Sequence, residues 1–290
     1  MNQYIDIVKE VLTGDWKENR TGIKTRMIHG LQFKHFMPNG FPLLTTKKMA
    51  WRTCFTELEG FIGGITSKQW YKDRKCNIWN EWCNPQLALA IRHPELEDDL
   101  GPIYGYQWRR FNRPYRLGFP ITSKFRPRPL SQSDQLAIIV HHLEYNRTSR
   151  RMVCSAWNPL QLDQMALPPC IYSFTVTTCA GYLNLEWTQR SVDVMIGLPF
   201  DIASHAMLLR LLAEEARLQP GWLTGSLQDT HIYENHIDAA KEQIERKPRE
   251  LPTVQPGGPM EAWNMFEWEA AHVVVNNYDP YPKIKLEVAV

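Results

Sequence analysis

Residues 189–201 read QRSVDVMIGLPFD, and they join two segments of opposite character. Upstream, residues 182–189 are rich in β-branched and aromatic side chains, with Leu183, Leu185 and Trp187 alternating as on a half-buried strand. Downstream, an apolar run passes through Leu208, Leu209 and Leu212, so a long helix is expected to open at Asp201. An acid placed immediately before an apolar helical run is a standard N-cap, which is the plain structural reading of Asp201.

Working outward, Tyr4, Val8, Val11 and Leu12 recur at helical spacing, as do Trp51, Phe55, Leu58 and Ile62, and again Leu136, Ile139, Val140 and Leu143. Residues 152–157 and 171–177 carry the composition of strands, and a further helix is expected after Tyr233. The order supports a mixed, α+β chain. With 290 residues, 43% of them apolar, and no linker-like stretch, a single domain over 1–290 is expected.

A net charge of +2 is too balanced for nucleic-acid or membrane binding through bulk electrostatics, so neither partner is expected. Local arginines must carry any anion recognition. The six cysteines (54, 76, 83, 154, 170 and 179) form no CxxC pair and no metal-ligand spacing with histidine, so no metal is expected and reduced thiols in a cytosol are. No apolar run approaches membrane-spanning length.

In Gln189, Arg190, Ser191, Asp193, Gly197, Pro199 and Phe200, the opening stretch resembles the nucleotide- and folate-binding signature of the thymidylate synthase family. The resemblance extends along the chain through ENRTGIKT, FPLLTTKK, NIWNEW, GPIYGYQW, SRRMVCSAWNP, MALPPC, DTHIYENH and YDPYPKIKLEVAV, in the family's order. Residues 83–100 and 112–132 fit poorly and read as variable surface insertions without chemistry. The resemblance implies a twisted mixed sheet with helices packed on one side and a homodimer formed through the other sheet face.

It also implies roles, residue by residue. Cys170 matches the nucleophile that adds to carbon 6 of a pyrimidine and makes carbon 5 enamine-like, with Pro168 and Pro169 fixing its approach. By composition alone a cysteine between Pro and Ile reads as a buried structural residue. Arg20, Arg150, Arg151 and Arg190 match the arginines that hold a nucleotide monophosphate, with Arg150 and Arg151 reaching across from the partner subunit, and these cations are expected to favour the thiolate. Ser191 adds a hydroxyl to the phosphate, while His231 and Tyr233 match the pair on the sugar 3′-hydroxyl. The co-substrate implied is 5,10-methylenetetrahydrofolate, at Glu57, Trp79, Trp82, Leu167, Asp193, Gly197, Phe200 and Val290. Glu57 is the proton-handling group, acting through water.

Three departures bear on the substrate. The family's asparagine that reads the uracil edge is Asp201; its usual histidine after the nucleophile is Ile171; an acid common in the family is Asn80. Uracil offers O4 and N3–H, whereas cytosine offers an amino donor and a bare N3 acceptor. A protonated Asp201 matches cytosine, sharing one proton with the ring and serving as a general acid as charge builds there. The expected activity is 5-methylation of dCMP with release of dihydrofolate. Alternatives are a dCMP or CMP 5-hydroxymethylase, in which water replaces hydride, an ordinary thymidylate synthase, and a nucleotide- or RNA-binding regulator without catalysis.

Overall fold

The computed structural model describes residues 1–82, 97–125, 131–257 and 264–287. Its frame is a twisted six-stranded sheet built from β1 (Asp15–Lys17), β2 (Thr25–Phe36), β3 (Val153–Ser155), β4 (Ile171–Cys179), β5 (Tyr182–Asp193) and β6 (Gln219–Tyr233) in the order β1-β2-β6-β5-β4-β3. Only β5 and β6 run parallel; the other neighbours are antiparallel, so the sheet is mixed. A short pair, β7 (Thr253–Gln255) with β8 (Val274–Asn276), stands apart.

Seven described helices complete the frame: α1 (Asn2–Leu12), α2 (Trp51–Gly63), α3 (Lys68–Asp73), α4 (Tyr104–Arg110), α5 (Gln135–Tyr145), α6 (Gly197–Ala216) and α7 (Ile237–Glu245). The parallel pair needs a crossover, and α6 supplies it, packing back on both strands. Its apolar residues, among them Ile202, Leu208, Leu209 and Leu212, are fully buried against Leu183, Leu185, Trp187, Leu223 and Leu227. Burying each such side chain contributes about 1.5–3 kcal/mol, which makes this crossover the centre of the core. The opposite sheet face carries Glu186, Thr175, Thr177 and Trp222, all exposed in the single chain.

Several expectations need correction. The helix opens at Gly197, so Asp201 lies in its second turn and caps nothing; the acid that satisfies the entering backbone is Asp193, whose Oδ1 accepts from Met195 N (2.9 Å) and Ile196 N (3.0 Å). The strand expected over 152–157 is only three residues long, Val153–Ser155, pairing with Ser173–Thr175 of β4, although Ala156 N still donates to the Tyr172 carbonyl (2.8 Å). Strands β2 and β6 were not expected at all. Nor are the poorly fitting regions wholly superficial: Asp99 and Leu100 are buried, and Asp99 accepts hydrogen bonds from the Tyr115 hydroxyl (2.5 Å), Gly101 N (2.9 Å) and Gly118 N (2.8 Å). A buried carboxyl requires such partners, and the loop supplies them. Residues 83–96 and 126–130 lie outside the described residues.

Candidate active site

The opening stretch of sequence builds most of the site as one piece of backbone: the end of β5, a tight turn and the first turns of α6. Gln189 is buried and sits between three groups. Its Oε1 accepts from the Trp187 indole N–H (3.1 Å), and its Nε2 donates to the Ser191 carbonyl (3.1 Å) and to Asp201 Oδ2 (2.8 Å). Burial pushes the Asp201 carboxyl up to about 7, with Asp193 adding to the rise and the Gln189 donor opposing it. A carboxyl poised there can hold or release a proton near neutrality.

Cys170 stands at the mouth of β4. Its backbone N–H donates to the Tyr104 hydroxyl (2.7 Å), and its carbonyl accepts from Arg190 N (2.9 Å). Arg190 also binds the preceding turn, donating from Nε to the Pro169 carbonyl (2.9 Å) and from Nη2 to the Pro168 carbonyl (3.0 Å). Proline carbonyls have no competing N–H on their own residue, so one guanidinium locks both prolines in place. Burial outweighs Arg190 and Arg20 at the thiol, although both act in the expected direction. Burial raises the Cys170 thiol above its ordinary value, and the lowering effects of Arg190, the Tyr104 hydroxyl and Arg20 do not overcome it.

Tyr104 carries no assigned role in the sequence reading, although GPIYGYQW contains it. It reaches Cys170 because Gly105 lets α4 approach α2 closely: a Cβ at Gly105 would lie 2.5 Å from the Phe61 carbonyl oxygen. Phe61 then stacks on Tyr104 with ring centroids 4.9 Å apart.

Glu57, on α2, is pushed up to about 8, by burial first and by Asp201 second. Trp79 is buried beside it, and its indole N–H partly offsets this rise. Trp82, Leu167 and Phe200 are partly buried against the same core, and the Phe200 carbonyl accepts from the Cys54 thiol (3.4 Å). Gly197 is the first residue of α6, and a Cβ there would come within 3.7 Å of Asp201 Oδ2. Ile171 is buried and Asn80 is partly buried. Val290 lies outside the described residues.

The parallel register sets Asp193 opposite His231 and Ser191 opposite Asp229. Asp229 Oδ1 accepts from His231 Nδ1 (3.0 Å) and its other oxygen pairs with Lys17; the His231 bond is the main reason its carboxyl is held down to about 2. The Tyr233 ring meets His231 edge-on at 5.3 Å. Arg20 is exposed, but close enough to act electrostatically on both Cys170 and Tyr233. Arg150 and Arg151 differ: both are exposed just before β3 and form no ion pair or side-chain hydrogen bond among the described residues.

The arrangement therefore joins a thiol on a locked turn, two partly buried carboxyls with raised pKa values, and an open cationic side. It is suited to nucleophilic addition with proton transfer at an anionic substrate. The Trp79 indole and the adjoining aromatic wall fit a flat co-substrate with polar ring edges. The family model described as thymidylate synthase matches residues 2–290, and the chain belongs to the thymidylate synthase family, whose members transfer a one-carbon unit from methylenetetrahydrofolate to a pyrimidine nucleotide.

Proposed function

We propose that this enzyme modifies carbon 5 of a cytosine nucleotide, dCMP, and that Asp201 selects the base. The observation that carries this reading is the hydrogen bond from Gln189 Nε2 to Asp201 Oδ2. It occupies one carboxyl oxygen as an acceptor and frees the side chain from any capping duty. The other oxygen, bearing the proton, donates to N3 of cytosine, and the carboxyl accepts from the amino group. Uracil places an N–H and a carbonyl where these two partners are needed, which leaves mispaired buried groups at a cost of about 1–3 kcal/mol each.

Chemistry follows from the same contacts. The Cys170 thiol loses its proton to water as the phosphate and base settle, and its sulfur forms a bond to carbon 6. The displaced π electrons pass through carbon 5 and carbon 4 to N3, which takes the Asp201 proton. Carbon 5 becomes the nucleophile. Trp79, Trp82, Leu167, Asp193, Gly197 and Phe200 would hold methylenetetrahydrofolate, which would supply the one-carbon unit to carbon 5. Loss of the carbon 5 proton to water beside Glu57 would let tetrahydrofolate leave, and its hydride would complete the methyl group and yield dihydrofolate. The N3 proton would return to Asp201, and the Cys170 sulfur would leave carbon 6. Glu57, neutral or ionised within a narrow span of pH around its raised pKa, handles protons through water. Buried Ile171 adds no hydrogen-bonding group at carbon 4.

The same reading makes the enzyme a homodimer through the exposed sheet face, with Arg150 and Arg151 serving the partner's phosphate site. Their exposure, and the lack of side-chain partners among the described residues, support this. Turnover of dCMP, CMP, dUMP and UMP with methylenetetrahydrofolate, followed by product mass and dihydrofolate absorbance, tests the whole proposal. 5-Methyl-dCMP with dihydrofolate is the expected result. Faster turnover of dUMP would overturn the base assignment, and 5-hydroxymethyl-dCMP without dihydrofolate would overturn the methyl product.

A further inference from the structure

Trp187 is the largest fully buried side chain near the site, and its placement is more determined than core filling requires. A Cβ on Gly225, its register partner in β6, would lie 2.2 Å from the indole, so the strand opposite has no side chain where the ring lies. The other face of the indole stacks on His205, with centroids 5.1 Å apart and planes inclined by 27°. His205 is itself tied to the site: its Nδ1 donates to the Asp201 carbonyl (2.8 Å), and burial holds its ring down to about 4, hence neutral. With that proton on Nδ1, the bare Nε2 is buried without a partner. The indole is therefore confined by Gly225, His205 and Phe33, and its N–H reaches Gln189.

An indole N–H can only donate, and a backbone carbonyl can only accept. Trp187 Nε1 therefore requires the oxygen of the Gln189 amide, and the Ser191 carbonyl requires its nitrogen. Only one of the two amide orientations satisfies both. In that orientation the remaining amide hydrogen meets Asp201 Oδ2, so this oxygen already accepts one hydrogen bond and is the less basic of the two. A proton on Asp201 is then favoured on Oδ1, the oxygen without a hydrogen bond among the described residues.

We propose that Trp187 is a positioning residue for base selection, its indole N–H fixing the Gln189 amide so that the exchangeable proton of Asp201 is favoured on Oδ1. The proposal rests on the reading of Asp201 as the base-selecting group. It makes selection depend on a residue that never touches the substrate. The chain of contacts is donor to acceptor at every step: indole to amide oxygen, amide nitrogen to carboxylate, carboxyl proton to ring nitrogen.

The test is the titration of Asp201 in the ligand-free full-length enzyme, followed by the infrared carboxyl band that disappears in Asp201→Asn. Other groups act on this carboxyl: Asp193 from β5, Glu57 and Cys54 from α2, Cys170 just before β4 and Tyr104 from α4, while His205 of α6 bonds the Asp201 backbone carbonyl. The raised Glu57 titrates in the same span, so the measurement is made in a Glu57→Gln background. Trp187→Phe keeps an aromatic ring beside His205 and removes the N–H together with part of the buried ring. Its expected result is a midpoint about 0.5–1 pH unit higher, because the loosened amide no longer holds the acceptor oxygen. With Glu57 intact, the dCMP-over-dUMP ratio of kcat/KM is expected to fall about tenfold in Trp187→Phe. An unchanged Asp201 midpoint in a folded Trp187→Phe overturns the proposal.

Should that variant fail to fold, tryptophan labelled with 15N in the otherwise unmutated chain carries the same test. One indole N–H resonance should move with the Asp201 midpoint and cease to do so in Asp201→Asn. Indole resonances indifferent to that substitution overturn the proposal. The underlying reading fails separately, if Asp201→Asn leaves the dCMP-over-dUMP ratio of the enzyme unaltered.

Discussion

The two ends of the candidate nucleotide site are built on opposite plans. At the base end, Asp201, Gln189 and Glu57 are held by the chain's own contacts and largely withdrawn from water, so the hydrogen-bond pattern exists before any ligand arrives. At the phosphate end, Arg20, Arg150 and Arg151 are exposed. Arg190 alone joins the two plans, spending its donors on the prolines before Cys170 while its charge acts on the thiol. The difference teaches where discrimination and affinity reside. A fixed, desolvated pattern can reject a wrong base, whereas solvated flexible cations attract any phosphate and order only when it binds.

The sharpest break in this comparison is at the thiol that both ends serve. Cys170→Ala is expected to lower kcat/KM by about 10⁴-fold or more and to abolish the covalent adduct with 5-fluoro-dCMP and folate. A denaturation-resistant adduct surviving in that variant would place the nucleophile elsewhere. Next in size is Asp201→Asn, which should reduce dCMP turnover and raise dUMP turnover, moving their ratio about 10–100-fold toward uracil. Steady-state kinetics on both nucleotides decides it, and a variant that keeps its cytosine preference removes the base-end assignment.

The phosphate end is addressed by Arg151→Ala, expected to raise the nucleotide KM about 10–100-fold with a smaller effect on kcat. Mixing inactive Cys170→Ala with Arg151→Ala chains should restore one competent site per hybrid dimer. No recovery on mixing would confine Arg151 to its own chain. The smallest effect concerns stability. Because Glu57 is raised from 4.5 to about 8 in the fold, its contribution is fully present below pH 4.5 and is lost as pH rises through 8. Glu57→Gln should therefore match the wild type in acid and be more stable by roughly 1–3 kcal/mol at pH 9, as read from denaturant midpoints.

Legibility in the sequence followed the physics of each element. The helices α1, α2 and α5 were readable because Val8, Phe55, Leu58, Leu136 and Leu143 must recur on one face to be buried. Strand β6 was not, since Pro220, Gly221 and Gly225 break its alternation; yet Gly225 is needed there to admit the Trp187 ring. Strand β2 hides for a related reason, with Gly30 at a φ of +80° interrupting a run of mixed polarity. In the site, the candidate residues could be named from motif order, whereas their electrostatic state could not. The balance of burial against Arg190 at Cys170 depends on packing. The link from Trp187 to Gln189 left one faint trace, a two-residue spacing on a single strand face, which is indistinguishable from ordinary core alternation.

One consequence of the β5–β6 pairing concerns measurement. Gln189, which bonds the proposed base-selecting acid, and His231, proposed for the sugar, sit on neighbouring parallel strands whose register matches Asp193 to His231. The span from base to sugar is thus gauged by peptide units and not by adjustable side chains. A single residue inserted into either strand would offset that gauge by about 3.3 Å, more than the length of a hydrogen bond, and no rotamer change at either end could recover a nucleotide of the right size.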